Sequence, residues 1–142
     1  MIPIVNKIGG PSYLISKHLA LRLKPLVGNN DSFVKDSYSF INEIKDFKHG
    51  PNDIMVSFDV VSPFSKIPTK EAIDIINNIT GPNTAKLLII FLISTFFGFQ
   101  YDIYDHTCGV VMGSPLSPIM ENIFMEDFVK KALASAPFFP KL

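Results

Sequence analysis

One cysteine, Cys108, one arginine, Arg22, and no tryptophan occur in the 142 residues. A lone cysteine forms no internal disulfide, which excludes a small secreted scaffold held by bridges. Net charge is missing too, because 13 basic residues cancel 13 acidic ones. That balance argues against a protein held to nucleic acid by bulk charge. The scarcity of arginine removes the usual fork for phosphate and carboxylate. Met1 leads straight into Ile2-Pro3-Ile4-Val5. No basic segment and no cleavage pattern follow, so the protein is expected to be intracellular, nuclear or cytoplasmic, and not secreted. The sequons at Asn30 and Asn78 then read as chance matches. Long apolar runs are lacking as well. The longest uncharged apolar stretch, Leu87 to Phe99, has 13 residues, where a spanning helix needs about 20. It reads as a buried helix running into a strand, and no membrane partner is expected. A small membrane-anchored protein using this segment is the weakest of the readings considered.

Apolar residues make up 47% of the chain, with 13 phenylalanines and only 18% charged residues. A chain this long and oily can bury a core, and its length suggests one domain. Residues 1–11 read as an extended piece and a turn. Ser12 is placed to cap a helix to about Val27, with Ile15, Leu19, Leu23 and Leu26 on one face. Pro25 lies in its last turn, and Gly28-Asn29-Asn30 stops it. A second helix is predicted over Ser37–Lys48, with Phe40, Ile41, Ile44 and Phe47 inward. Ile54 to Val61 is rich in branched and aromatic residues between turn signals and predicts a strand. An aspartate, Asp59, near the end of so apolar a run is unusual, because carboxylates are rarely buried without a partner. Thr69 is placed to cap a helix to about Ile79, with Ala72, Ile73, Ile76 and Ile79 inward. The oily helix follows over about Thr84–Thr95, then a strand over Phe97–Tyr104. Cys108–Pro115 is a loop, and a last helix covers about Leu116–Ala134 with Ile119, Ile123, Phe124 and Phe128 inward. The expected class is α/β (α+β).

The general catalytic inventory is thin. There is no phosphate-binding Gly-rich loop, no dinucleotide fingerprint and no nucleophile elbow. His18, His49 and His106 show no metal-ligand spacing with Cys108. Two stretches stand out. The first is Val56-Ser57-Phe58-Asp59-Val60-Val61-Ser62-Pro63-Phe64-Ser65-Lys66-Ile67-Pro68. The second is Gly109-Val110-Val111-Met112-Gly113-Ser114-Pro115-Leu116-Ser117-Pro118-Ile119, continued by Asn122-Ile123-Phe124-Met125-Glu126. Together they resemble motifs A and B of reverse transcriptases, in wording similar to the Penelope-like retroelement branch. Pro3-Ile4-Val5 with Ile8-Gly9, and Leu23-Lys24-Pro25-Leu26-Val27-Gly28, resemble the fingers region of the same family.

The resemblance implies a partial right-hand polymerase, with fingers and palm helices packed on a small incomplete sheet. Residues 1–52 would be fingers-like and 53–142 palm. It implies an RNA-directed DNA polymerase that joins a primer hydroxyl to a nucleotide with two divalent ions, Mg²⁺ or Mn²⁺. RNA template, DNA primer and deoxynucleotides are the implied partners. Asp59 matches the first metal-binding aspartate, and Val60 would offer its backbone carbonyl. Taken outside the motif, Asp59 reads as a cap on the following turn. Phe64 falls where the family carries an aromatic gate under the sugar, and otherwise reads as a core phenylalanine. Met112, Gly113 and Ser114 would meet the nucleotide, with Gly113 letting backbone approach closely. Pro115, Ser117 and Pro118 would meet template or primer, and otherwise form a loop-to-helix cap. Pro63 stands where leucine is usual, Glu121 where a small residue is usual and His106 where glutamine is usual.

The expected arginine before Pro3 is replaced by Ile2. Ala134 to Leu142 looks like the lead-in to motif C, whose aspartates do not occur in these residues. One carboxylate does not hold two ions in register, so the chain by itself is expected not to polymerise. The motif A strand is expected to carry an unpaired edge. The other reading is a non-catalytic module that binds nucleic acid or another partner. Residues 1–50 carry 7 basic and 4 acidic residues, and 51–142 carry 6 and 9. The mildly basic front is where template would lie.

Overall fold

Apolar side chains from helices in both halves of the chain build the core. The computed structural model describes residues 8–30, 32–48, 50–61, 63–105 and 109–137. Helix α1 runs Tyr13–Leu23, and the chain tightens into a 3-10 turn at Lys24–Leu26. Pro25 explains the early end: it has no N–H for an α-type bond, so the helix stops before the predicted Val27. Ser12 occupies the N-cap position, yet its side chain makes no capping bond there. Leu19 and Leu23 are fully buried, with Ile15 and Leu26 packed beside them.

Helix α2 covers Ser37–Ile44 and is shorter than predicted. Asp36 caps it, accepting from the Ser39 backbone N–H at 2.8 Å and from the Ser39 hydroxyl at 3.0 Å. The predicted inward face is not buried. Phe40, Ile41 and Phe47 are exposed.

The strand predicted over Ile54–Val61 is not formed. These residues are exposed and have no ladder partner among the described residues. Ile54 is 85% exposed, Met55 93% and Phe58 91%. Its β-propensity is satisfied only by cross-strand neighbours, and the two described strands pair with each other.

Short helix α3, Pro63–Lys66, leads to α4, Thr69–Thr80, and α5, Pro82–Ile93. Pro68, not Thr69, holds the N-cap position of α4. Gly81, at φ +85°, ends α4 and starts α5, a conformation that favours glycine. Ala72 and Ile76 are buried in α4, and Leu88 and Phe91 in α5, whereas Ile79 is exposed against expectation.

The segment predicted as one strand over Phe97–Tyr104 is a hairpin, β1 Phe96–Phe99 and β2 Asp102–Asp105. Its two-residue turn is Gln100-Tyr101, both at positive φ. Such turns are usually marked by Asn-Gly, which is absent here. Phe97 and Tyr104 face each other and stack at 5.4 Å. Helix α6, Ser117–Ser135, closes the fold, burying Met120 and Ile123 and leaving Phe128 exposed.

The fold class is thus mixed helix with a small two-stranded antiparallel sheet. The core lies where α1, α4, α5 and α6 meet, with Ile67, Val110 and Leu116 contributed by loops. No helix among the described residues is long and apolar enough to cross a membrane.

Candidate functional site

The two singled-out stretches meet at a backbone seam. Val110 donates its N–H to the Phe64 carbonyl at 2.7 Å. Gly109 lies against the Phe64 and Ser65 backbone so closely that a Cβ there would overlap both. Its φ of +75° also favours glycine. Thr69 donates from its hydroxyl to the Gly109 carbonyl at 3.3 Å. Val110 and Val111 are buried, so the loop after residue 109 is anchored in the core rather than hung from it.

Each sequence-derived candidate has a definite place. Asp59 and Val60 lie on the exposed, unpaired stretch before α3. Phe64 is half-buried and packs against the core cluster. Met112 is half-buried, and Gly113 is exposed at φ +96°. Ser114 is buried, and its hydroxyl accepts from the Leu116 N–H at 3.2 Å. Ser117 is buried, and its hydroxyl donates to the Val111 carbonyl at 2.6 Å. Both hydroxyls therefore shape the loop. Pro118 is exposed in the first turn of α6, and Pro115 is half-buried. His106, Cys108, Ile2 with the apolar start, and the residues after Pro137 lie outside the described residues, as does the side chain of Pro63.

The seam brings Phe64 to the 109–117 loop. Asp59 is not part of it. Among the described residues no group of three His, Cys, Asp or Glu side chains is placed to hold a metal ion. A hard divalent cation wants several oxygen ligands in fixed positions. A single carboxylate on an exposed, unladdered stretch does not fit a pair of ions.

A long-range bond and a cleft escaped the sequence reading. Glu126 on α6 accepts the Gly28 N–H at 2.7 Å, 98 residues away in sequence. Gly28, at φ +80°, turns that N–H toward α6. The only prior signal was a glycine after Pro25-Leu26-Val27. Glu121, half-buried on the same helix, has its carboxyl held above the usual range by burial. Pro115 also lines a cleft of about 530 Å³ between α1 and the start of α6.

A family model described as reverse transcriptase (RNA-dependent DNA polymerase) matches residues 13–137, which is most of the chain. No curated protein matches it.

Proposed function

Because the chain belongs to the reverse transcriptase family, we propose that it is the fingers and front-palm portion of a Penelope-like RNA-directed DNA polymerase. In this reading residues 1–52 are fingers-like and 53–142 palm. Members of the family copy RNA templates into DNA from nucleotides and use divalent cations. Asp59 and Val60 occupy the positions of the first metal-binding carboxylate and the adjacent carbonyl. Phe64 is the gate beneath the incoming sugar, and Met112, Gly113 and Ser114 form the loop over the nucleotide. Pro115, Ser117 and Pro118 lead toward template or primer.

The observation that carries the reading is the seam between Phe64 and Gly109–Val110. It sets Phe64 beside the 109–117 loop, which supports reading the two stretches as one nucleotide site. For Ser114 and Ser117 the support is indirect: their hydroxyls hold the loop's shape, so any contact with substrate falls to backbone and to exposed Gly113 and Pro118.

The 142-residue polypeptide by itself does not extend a primer. Two-metal transfer needs preorganised ligands, and Asp59 stands alone on an exposed stretch. The test combines a photoreactive deoxynucleoside triphosphate with an RNA template and DNA primer. The expected result is crosslinking at Phe64 or residues 112–114 with no extension. Crosslinks confined to other segments overturn the site. Template-dependent extension, lost in Asp59→Ala, overturns the inactivity.

A further inference from the structure

Two exposed surfaces of this chain match each other in apolar pattern and in charge. The first is the outer side of α1. Leu14 is 74% exposed and Leu21 67%, seven residues apart and so on one stripe of the helix. Lys17 and Lys24 flank that stripe on one side, again seven apart, and line the cleft between α1 and the start of α6. Pro115 and Ile119 line it as well, and no carboxylate does. The second surface is α2. Phe40 and Ile41 are exposed on one face, with Phe47 just beyond the helix end. Asp36 and Glu43 are exposed and flank that face on one side, also seven residues apart. Lys45 lies two residues past Glu43, about 200° further round the helix and away from both acids.

We propose that α2 of one copy of this chain docks along the outer side of α1 on a second copy, antiparallel to it. Lys24 then faces Asp36, and Lys17 faces Glu43. Seven residues at 1.5 Å each separate the lysines by about 10 Å along α1, and the same holds for the acids along α2. One register therefore forms both pairs. In that register Phe40 comes beside Leu21 and Phe47 beside Leu14, so each ion pair has an apolar contact next to it. The antiparallel sense also sets the negative C-terminal pole of α1 beside the positive N-terminal pole of α2. The bonds from Ser39 both end on Asp36 Oδ1, so the cap of α2 persists when Oδ2 meets Lys24. The occupant is a second copy and not the chain's own α2. Phe33, three residues before Asp36, already lines the cleft of its own copy, and no α2 residue does. The two surfaces are unlike, so the contact closes reciprocally into a dimer or continues into longer assemblies. The proposal draws nothing from the polymerase reading and stands or falls apart from it.

The test is a charge swap read by sedimentation velocity on the full chain. The parent is expected to associate at micromolar protein concentration. Lys17→Glu and Glu43→Lys, each alone, set like charges opposite one another and weaken association at least about tenfold. Mixing the two variants in equal amounts restores association to within about threefold of the parent, because every contact between unlike copies regains an opposite pair. That rescue also shows that both variants are folded. Phe40→Ala weakens association by about threefold or more, as loss of an apolar contact at the interface should. Lys86→Ala with Lys130→Ala, two exposed charges outside the contact, leaves it within about twofold. Zero-length carbodiimide coupling of a mixture of isotope-labelled and unlabelled parent is expected to join Lys17 of one mass to Glu43 of the other. A parent that sediments as a monomer throughout the micromolar range overturns the proposal. So does a mixture that fails to recover. Coupling of Lys17 to Glu43 only within chains of one mass, whatever their ratio, would place the chain's own α2 on α1 and overturn it too.

Discussion

Helices α2 and α4 carry apolar stripes of similar regularity, yet only α4 buries its stripe. Ala72 and Ile76 are sealed against α5 and α6, while Phe40 and Ile41 face solvent. The same contrast holds on a larger scale. Residues 63–93 and 109–135 interlock with α1, whereas residues 32–61 bury almost nothing. An amphipathic pattern specifies which face wants burial, but burial itself needs a second surface. The exposed region has its hydrophobic residues and no such surface among the described residues. It also carries Asp59, the proposed metal-binding carboxylate, whereas Phe64 and the 109–117 loop belong to the packed region.

The sharpest way to break the packed region is at the seam. Gly109→Ala sets a Cβ into the Phe64 and Ser65 backbone and strains a φ of +75°. It should destabilise by about 3 kcal/mol or more, read by urea unfolding. A change below about 1 kcal/mol would show that the two stretches are not pinned there. Leu88→Ala empties a fully buried position and should cost about 2–5 kcal/mol. Phe58→Ala removes a larger side chain that is 91% exposed and should stay within about 0.5 kcal/mol. If the two variants lose stability equally, Phe58 is buried in solution and the contrast between regions collapses. Amide exchange gives the same comparison without substitution. Protection is expected along α4, α5 and α6 and absent over residues 54–61.

The hairpin offers a gain instead of a loss. Gln100 and Tyr101 occupy left-handed backbone that non-glycine residues adopt at some cost. Tyr101→Gly should raise stability by about 1 kcal/mol, seen as a later unfolding midpoint. A loss would mean that the fully exposed tyrosine ring makes a contact worth more than the strain.

Local signals were legible where a residue's own chemistry decides the outcome. Pro25 broke α1, earlier than the expected Val27, Gly81 separated α4 from α5, and the faces of Leu19, Leu23, Ala72 and Ile76 followed from spacing alone. The candidate site was read as a motif pair from FDVVS and MGSPLSP, and the structure joins Phe64 to the second stretch while Asp59 stays outside the seam. What failed needed information from elsewhere in the molecule. The strand at residues 54–61 depends on a partner, and a strand's propensity says nothing about whether one is present. For Ser117 the sequence left a template contact and a loop-shaping role side by side, and only the fold shows its hydroxyl donating to the Val111 carbonyl. The bond from Gly28 to Glu126 spans 98 residues, and no local pattern announces such a pairing.

The smallest expected effect separates the two regions by the sign of their response to acid. Asp36, at the cap of exposed α2, has its carboxyl held below the usual range by hydrogen bonds from the Ser39 backbone and hydroxyl. Its stabilising share is present above the unfolded value near 3.8 and is lost as pH falls through the lowered one. Glu121, on packed α6, runs the other way. Burial raises its carboxyl above 4.5, so its share is fully present below that value and is lost as pH rises through the raised one. At pH 7 the ionised Glu121 opposes folding. Glu121→Gln should therefore raise the unfolding midpoint at pH 7, by no more than about 0.5 kcal/mol, and change nothing near pH 4. Asp36→Asn should do the reverse at the same two pH values, lowering helicity at pH 7 and leaving it unaltered once the parent carboxyl is protonated. Should both variants shift in the same direction at pH 7, the carboxylate on α6 is solvated like the one on α2. The packed and exposed halves would then differ in contacts but not in electrostatic environment.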